Sequence, residues 1–122
     1  MDIFSQQVED VFAGRLKAKP DFDEAGFKRK MAELRDEIDY CNRTAVDLLK
    51  RRTDAARKVA ICKWSSGQPN FAPAREEAIL ANAAEYGKSI GVNGPDARVV
   101  VGEMLKSARR EQDDYRAKLE RE

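Results

Sequence analysis

The sequence predicts an all-α fold in which one very long helix is followed by two shorter ones, with an extra short helix at the N-terminus. Three observations carry this. Apolar residues recur at helical spacing through most of the chain, no stretch shows strand-like alternation, and 37% of the 122 residues are charged, against about 25% in an average globular protein. Such a composition suits long solvated helices better than a β-fold. A chain of this length falls at the one-domain size of about 100–200 residues and buries only about two thirds of its unfolded surface. Helix association between chains is a natural way to complete its core, so an oligomer is expected.

Residues 2–17 carry Phe4, Val8, Val11, Phe12 and Leu16 at helical spacing, and Lys17-Ala18-Lys19-Pro20 then breaks the pattern. This predicts a short amphipathic helix and linker over 1–21, ahead of a helical domain over 22–122. Asp21 and Glu24 fit a capping box at the start of the long helix, expected over about 22–65. Its seam reads Phe27, Met31, Leu34, Ile38, Cys41, Ala45, Leu48, Arg52, Ala55, Val59, Cys62, alternating four and three without a slip. A second stripe of Val46, Leu49, Ala56 and Ala60 widens the apolar face, so other helices are expected to pack there. Ser65-Ser66-Gly67-Gln68-Pro69-Asn70 is turn chemistry, and Pro73 suits the first position of a helix burying Ile79, Leu80, Ala83, Tyr86 and Ile90. Asn93-Gly94-Pro95-Asp96 restarts the chain into a last helix whose stripe is Val101, Leu105, Ala108, Gln112, Tyr115 and Leu119.

Composition narrows the function. With 23 basic and 22 acidic side chains the net charge is +1, which argues against a dedicated nucleic-acid binder, whose surface must be strongly basic. Histidine is absent, which removes the commonest general base and metal ligand, and with them most hydrolase triads and zinc sites. Cys41 and Cys62 lie 21 positions apart on one expected helix, about 31 Å at 1.5 Å per residue. They cannot pair within a chain and read as small core residues of a reducing compartment. No segment has signal-peptide or membrane-spanning character, so a cytoplasmic protein without membrane association is expected.

Two polar residues interrupt the apolar seams: Arg52 in the long helix and Gln112 in the last. Both are expected to point inward. A buried guanidinium without an anion carries a desolvation penalty of several kcal/mol, so Arg52 calls for a carboxylate or an anionic ligand; the alternative is a polar residue that sets helix register. Lys63 follows Arg52 by 11 residues, about 20° of rotation and about 16 Å of rise, so the two cations share a face with room for a small dianion between them. Arg75 and Glu76 fall in the first turn of the next helix, where free backbone N–H groups favour anions. Arg35 precedes Arg52 by 17 residues, about 25 Å along the helix, and cannot serve the same ligand from its own chain. In an antiparallel helix pair, the partner's copy could.

Leu34-Arg35-Asp36-Glu37-Ile38-Asp39, Leu48-Leu49-Lys50-Arg51-Arg52, Val59-Ala60-Ile61-Cys62-Lys63 and Pro73-Ala74-Arg75-Glu76, with Gln112 in the last helix, resemble the consecutive motifs of the all-helical type II chorismate mutases. The resemblance covers about residues 27–119 and lies in the ordered set rather than in any one motif. It implies an intertwined homodimer with antiparallel long helices and two equivalent sites, each borrowing Arg35 across the subunit boundary. It also implies that chorismate is rearranged to prephenate by a one-step pericyclic shift without metal or cofactor. Carried over by position, Arg52 and the partner's Arg35 grip the carboxylates, Lys63 and Gln112 donate to the ether oxygen, Arg75 supports the anionic end and Glu76 accepts from the ring hydroxyl. Two positions depart from the pattern. Ala72 stands where an aspartate is common, removing a helix cap and a hydroxyl contact, and Ala108 replaces a small hydroxyl residue.

Two other readings compete. An isochorismate pyruvate-lyase, or a mutase for the 4-amino-4-deoxy analogue of chorismate, uses a similar cationic pocket, and the product formed separates them. A non-catalytic helical dimerisation or regulatory module leaves chorismate untouched, and in it Arg52→Leu raises stability at no other cost.

Overall fold

The computed structural model describes all 122 residues and contains four helices, α1 (Ile3–Phe12), α2 (Glu24–Ser66), α3 (Pro73–Ser89) and α4 (Gly94–Arg121). The all-α expectation holds, including one long helix and two shorter ones after it. No helix is long and apolar enough to cross a membrane. The chain divides into two compact units, Met1–Val46 and Asp47–Glu122, and α2 runs through both.

In the first unit, α1 begins at an aspartate cap. The Asp2 carboxylate accepts from the Ser5 backbone N–H at 2.8 Å and from Ser5 Oγ at 2.9 Å, satisfying an orphan donor of the first turn. The helix stops at Phe12 rather than near residue 17. Gly14 adopts a left-handed φ of 78°, and the Arg15 and Leu16 N–H groups turn back onto the Asp10 carbonyl, so Leu16 lies in a turn and not on the helical stripe. The linker is tied to α1 by a reciprocal pair: Asp21 N–H donates to Gln7 Oε1 at 2.7 Å and Gln7 Nε2 donates to Asp21 Oδ2 at 3.2 Å. This engagement takes Asp21 out of the expected capping box. Asp23 caps α2 instead, accepting from the Gly26 N–H at 2.8 Å.

The start of α2 packs on α1 through Phe4, Phe22 and Phe27, whose ring centroids lie 5.7–6.4 Å apart, in the range of favourable aromatic pairs. Lys30, only 2% exposed, is paired with Glu9 and Glu33, and the bond it donates to Glu9 holds the ammonium above its ordinary pKa. Beyond this cluster the seam is open: Leu34, Ile38 and Cys41 are exposed.

In the second unit α2, α3 and α4 enclose a small core of Ala56, Ala60 and Leu105. Pro73 opens α3 behind Ala72, which supplies no side-chain cap. The Asn93 side chain caps α4 by accepting from Asp96 N–H at 3.2 Å. The expected α4 stripe is buried or half-buried throughout. That of α3 is not: Ile79, Leu80 and Ala83 face inward, whereas Tyr86 and Ile90 are 65% and 59% exposed. The reason is Gly87, where α4 approaches so closely that an added Cβ would sit 2.9 Å from Ala97 Cβ. The inward face therefore runs through 79, 80, 83 and 87, and Tyr86 falls beside it. On α2, Ala56 and Ala60 of the second stripe are buried while Val46 and Leu49 are exposed, and Cys62, like Cys41, is exposed rather than in the core.

Two outcomes follow from these contacts. Ala ordinarily stabilises a helix relative to Gly, but at Gly87 the neighbour is a methyl that cannot rotate away, so Gly87→Ala should lower stability by about 1–3 kcal/mol. Adding Ala97→Gly should restore most of the loss in urea titrations. At α1, the Ser5 backbone bond holds the Asp2 carboxyl at about 2 against an ordinary 3.8. A depressed carboxylate contributes stability that is complete above about pH 4 and is lost as pH falls through about 2. The Ser5 amide resonance should move across that window, and Asp2→Ala should abolish the step.

Candidate functional site

The second unit holds a cavity of about 350 Å³, a size that suits a small organic molecule. Its floor follows from the small side chains on facing helices: Ala55 and Ala56 of α2, and Ala108 of α4, leave space between backbones that larger residues would fill. Arg52, Lys63, Arg75, Glu76 and Gln112 all line it. Thus five of the six residues singled out from the sequence, carried on three helices, meet in one space. Arg35 does not. It is exposed on the part of α2 that belongs to the first unit and lines no part of the cavity.

Arg52, Lys63, Glu76 and Gln112 are held by their own chain. Arg52 is half-buried, and its Nη1 donates to the Met104 carbonyl at 3.1 Å. No carboxylate of the chain pairs with it, so the anion expected from its position on the seam is not supplied internally. Lys63 Nζ donates to the Asn70 carbonyl at 2.7 Å. Gln112 Nε2 donates to the Ala56 carbonyl at 3.1 Å, which fixes its amide orientation and links α4 to α2. Carbonyl oxygens carry two lone pairs, so those in helices can accept a side-chain donor beside the ladder bond. Arg75 is exposed in the first turn of α3.

The loop between α2 and α3 is anchored by α4. Asn70 Nδ2 donates to Asp113 Oδ1 at 3.0 Å, and Arg116 Nη1 donates to the Gln68 carbonyl at 2.6 Å. Asn70, Ala72 and Arg109 also line the cavity. Arg109 is the residue that reading the sequence missed. Its Nη2 binds Glu76 Oε1, and its guanidinium stacks on the Phe71 ring at 4.5 Å, an attractive arrangement for a planar cation. A signal existed, because Leu105, Arg109 and Gln112 keep the four-three rhythm as well as Leu105, Ala108 and Gln112 do. With Arg109 included, four cationic side chains and a single carboxylate face the cavity. Such a space attracts a compact polyanion.

Outside the cavity, several charges are paired. Arg57 pairs with Glu111 at 2.8 Å, raising its pKa, and Arg98 pairs with Glu77 at 2.9 Å. Lys50 holds Asp54 at 2.7 Å and lowers its carboxyl pKa.

The T-protein of Enterobacter agglomerans is 32% identical over 63 residues, which make up 52% of this chain and 17% of the T-protein. The chain therefore spans less than a fifth of that relative's length. No solved structure matches. The profile of the family described as chorismate mutase type II matches residues 34–113, a stretch that contains Arg35, every cavity residue named above, and the loop between α2 and α3. By that match over most of its length, the chain belongs to the chorismate mutase type II family.

Proposed function

We propose that this chain is a chorismate mutase, rearranging chorismate to prephenate on the route to phenylalanine and tyrosine. The observation that carries the reading is the convergence of Arg52, Lys63, Arg75, Glu76 and Gln112 on one cavity with a large excess of positive charge. The proposed catalytic domain is residues 22–122, with 1–21 an added helix and linker.

In the rearrangement the ether C–O bond breaks while a new C–C bond forms, six electrons shifting in one cycle with no proton transferred. The catalytic task is to fold a flexible ether and to stabilise charge on its oxygen. Arg52 clamps one carboxylate and Arg35 of the partner subunit clamps the other, which holds the reactive conformer. Arg75 reinforces the anionic end. Lys63 and Gln112 are donors already fixed by their backbone partners, and each keeps a further N–H for the oxygen as negative charge grows there. Being an amide, Gln112 stays a donor at every pH and adds no titration of its own to the rate. Glu76 accepts from the ring hydroxyl.

The reading takes the enzyme to be a cytoplasmic homodimer with antiparallel, intertwined long helices. It is supported by the apolar seam left open in each unit, where Ile38 is 58% and Leu48 56% exposed, and by Arg35, which lies outside the cavity its own chain forms.

Removing one preorganised donor typically costs about 10²–10³ in kcat, or about 2.7–4 kcal/mol. Arg52→Ala and Lys63→Ala should each lose activity on that scale while circular dichroism reports unchanged helicity. Product analysis with chorismate, isochorismate and the 4-amino-4-deoxy analogue checks the substrate: prephenate is expected, whereas pyruvate release or an amino product would transfer the reading to a sister activity. Subunit exchange tests the shared site. Arg35→Ala and Arg52→Ala homodimers should each be nearly inactive, and heterodimers should regain one intact site of the two; confirmed exchange without recovery would contradict the shared site.

A further inference from the structure

We infer that Arg109 is a positioning residue that, stacked on Phe71, cancels the charge of Glu76 and aims the carboxylate's open oxygen at the substrate's ring hydroxyl. This rests on the chorismate mutase reading and concerns how the ring is recognised. Three features support it. Glu76 offers only Oε1 to the chain, in its bond with Arg109, and its side chain is 21% exposed. Its Oε2 has no partner in the chain and is not among the buried oxygens, so it remains accessible on a residue that lines the cavity. Arg109 is itself held twice, by the Phe71 ring at 4.5 Å and by its bond to Glu76, while its buried Nε has no partner. Finally, Ala72 and Ala108, which line the same cavity, carry no polar side-chain atom. Glu76 therefore supplies the one carboxylate on the cavity wall, beside the amide oxygens of Asn70 and Gln112.

Electrostatics makes the arrangement necessary. A bare carboxylate brought against a dianion repels it in a partly dry space where charges are weakly screened. Pairing with a guanidinium removes the repulsion and leaves one oxygen as an acceptor, oriented by a charge-assisted bond. The planar fork, not the charge alone, sets that orientation.

The test compares chorismate with an analogue bearing hydrogen in place of the ring hydroxyl. Arg109→Met should lower kcat/KM for chorismate about 10–100-fold, the usual worth of a hydrogen bond to a charged group, and lower the value for the deoxy analogue by a clearly smaller factor, which reads the uncancelled Glu76 charge without the hydroxyl contact. Arg109→Lys, which restores charge without the fork, should recover only part of the loss. In Glu76→Gln, adding Arg109→Met should cost little more, because the two act as a unit. If Arg109→Met does not fold, Arg109→Gln carries the same comparison. Equal losses on both substrates, or losses that multiply in the double variant, would overturn the inference while leaving the proposed activity standing. Wild-type protein that leaves chorismate unchanged would overturn the activity itself, and the assignment of Arg109 with it.

Discussion

Satisfying a donor and neutralising a charge are different acts, and the candidate site depends on the difference. Lys30, almost fully buried in the first unit, is met by two carboxylates, Glu9 and Glu33. Its charge is cancelled where it sits, and the pair holds a helix in place. Arg52 and Lys63, by contrast, are met by the carbonyls of Met104 and Asn70. A carbonyl gives each cation a hydrogen bond, which keeps the side chain ordered, but it leaves the positive charge in a half-buried setting with nothing to cancel it. An ion pair closes a site. A carbonyl-tethered cation leaves it waiting for an anion.

The helices are built to hold that condition. Alanines at 55, 56 and 108 leave the cavity open between α2 and α4, while Gly87 lets α3 and α4 approach closely. Across that gap the long side chains of Arg52 and Gln112 reach carbonyls of the facing helix, so small residues set the cavity's size and long ones tether its walls. Asp113 and Arg116 of α4 then pin the loop that carries Asn70, whose carbonyl holds Lys63. Sequence-distant groups are fixed by one helix, in keeping with a site that orients rather than transfers protons.

Much of this was legible in the sequence, for identifiable reasons. The four-three rhythm gave α2 and α4, since periodicity is the strongest signal available, and polar residues on an apolar seam marked Arg52 and Gln112. What failed depended on tertiary contact. Asp21 and Asp23 are equally good caps by composition, and only the bonds of Asp21 with Gln7 decide between them. Tyr86 and Ile90 fit the α3 stripe until Gly87 rotates the buried face. Arg109 was hidden because Arg109-Arg110 reads as ordinary surface charge; the Phe71 ring and Glu76 that recruit it lie in a loop and another helix. The cysteines were misread because an apolar seam was equated with a buried one, although a seam can remain open within a single chain.

The near-neutral composition, 23 basic against 22 acidic residues, concealed the site for a related reason. Net charge is a sum over the chain, whereas attraction is local and screened beyond about 8–10 Å at physiological salt. Acidic partners are spent elsewhere: on Arg57, Arg98, Lys50 and Arg116, in pairs on helix surfaces. Each removes a carboxylate from reach of the cavity, so four cations and one acid remain there. Surface pairs of this kind add little stability. What sets the cavity apart is local: four cations and one acid share one partly enclosed space, whereas unpaired cations such as Arg43, Arg51 and Arg110 are exposed to solvent that screens them.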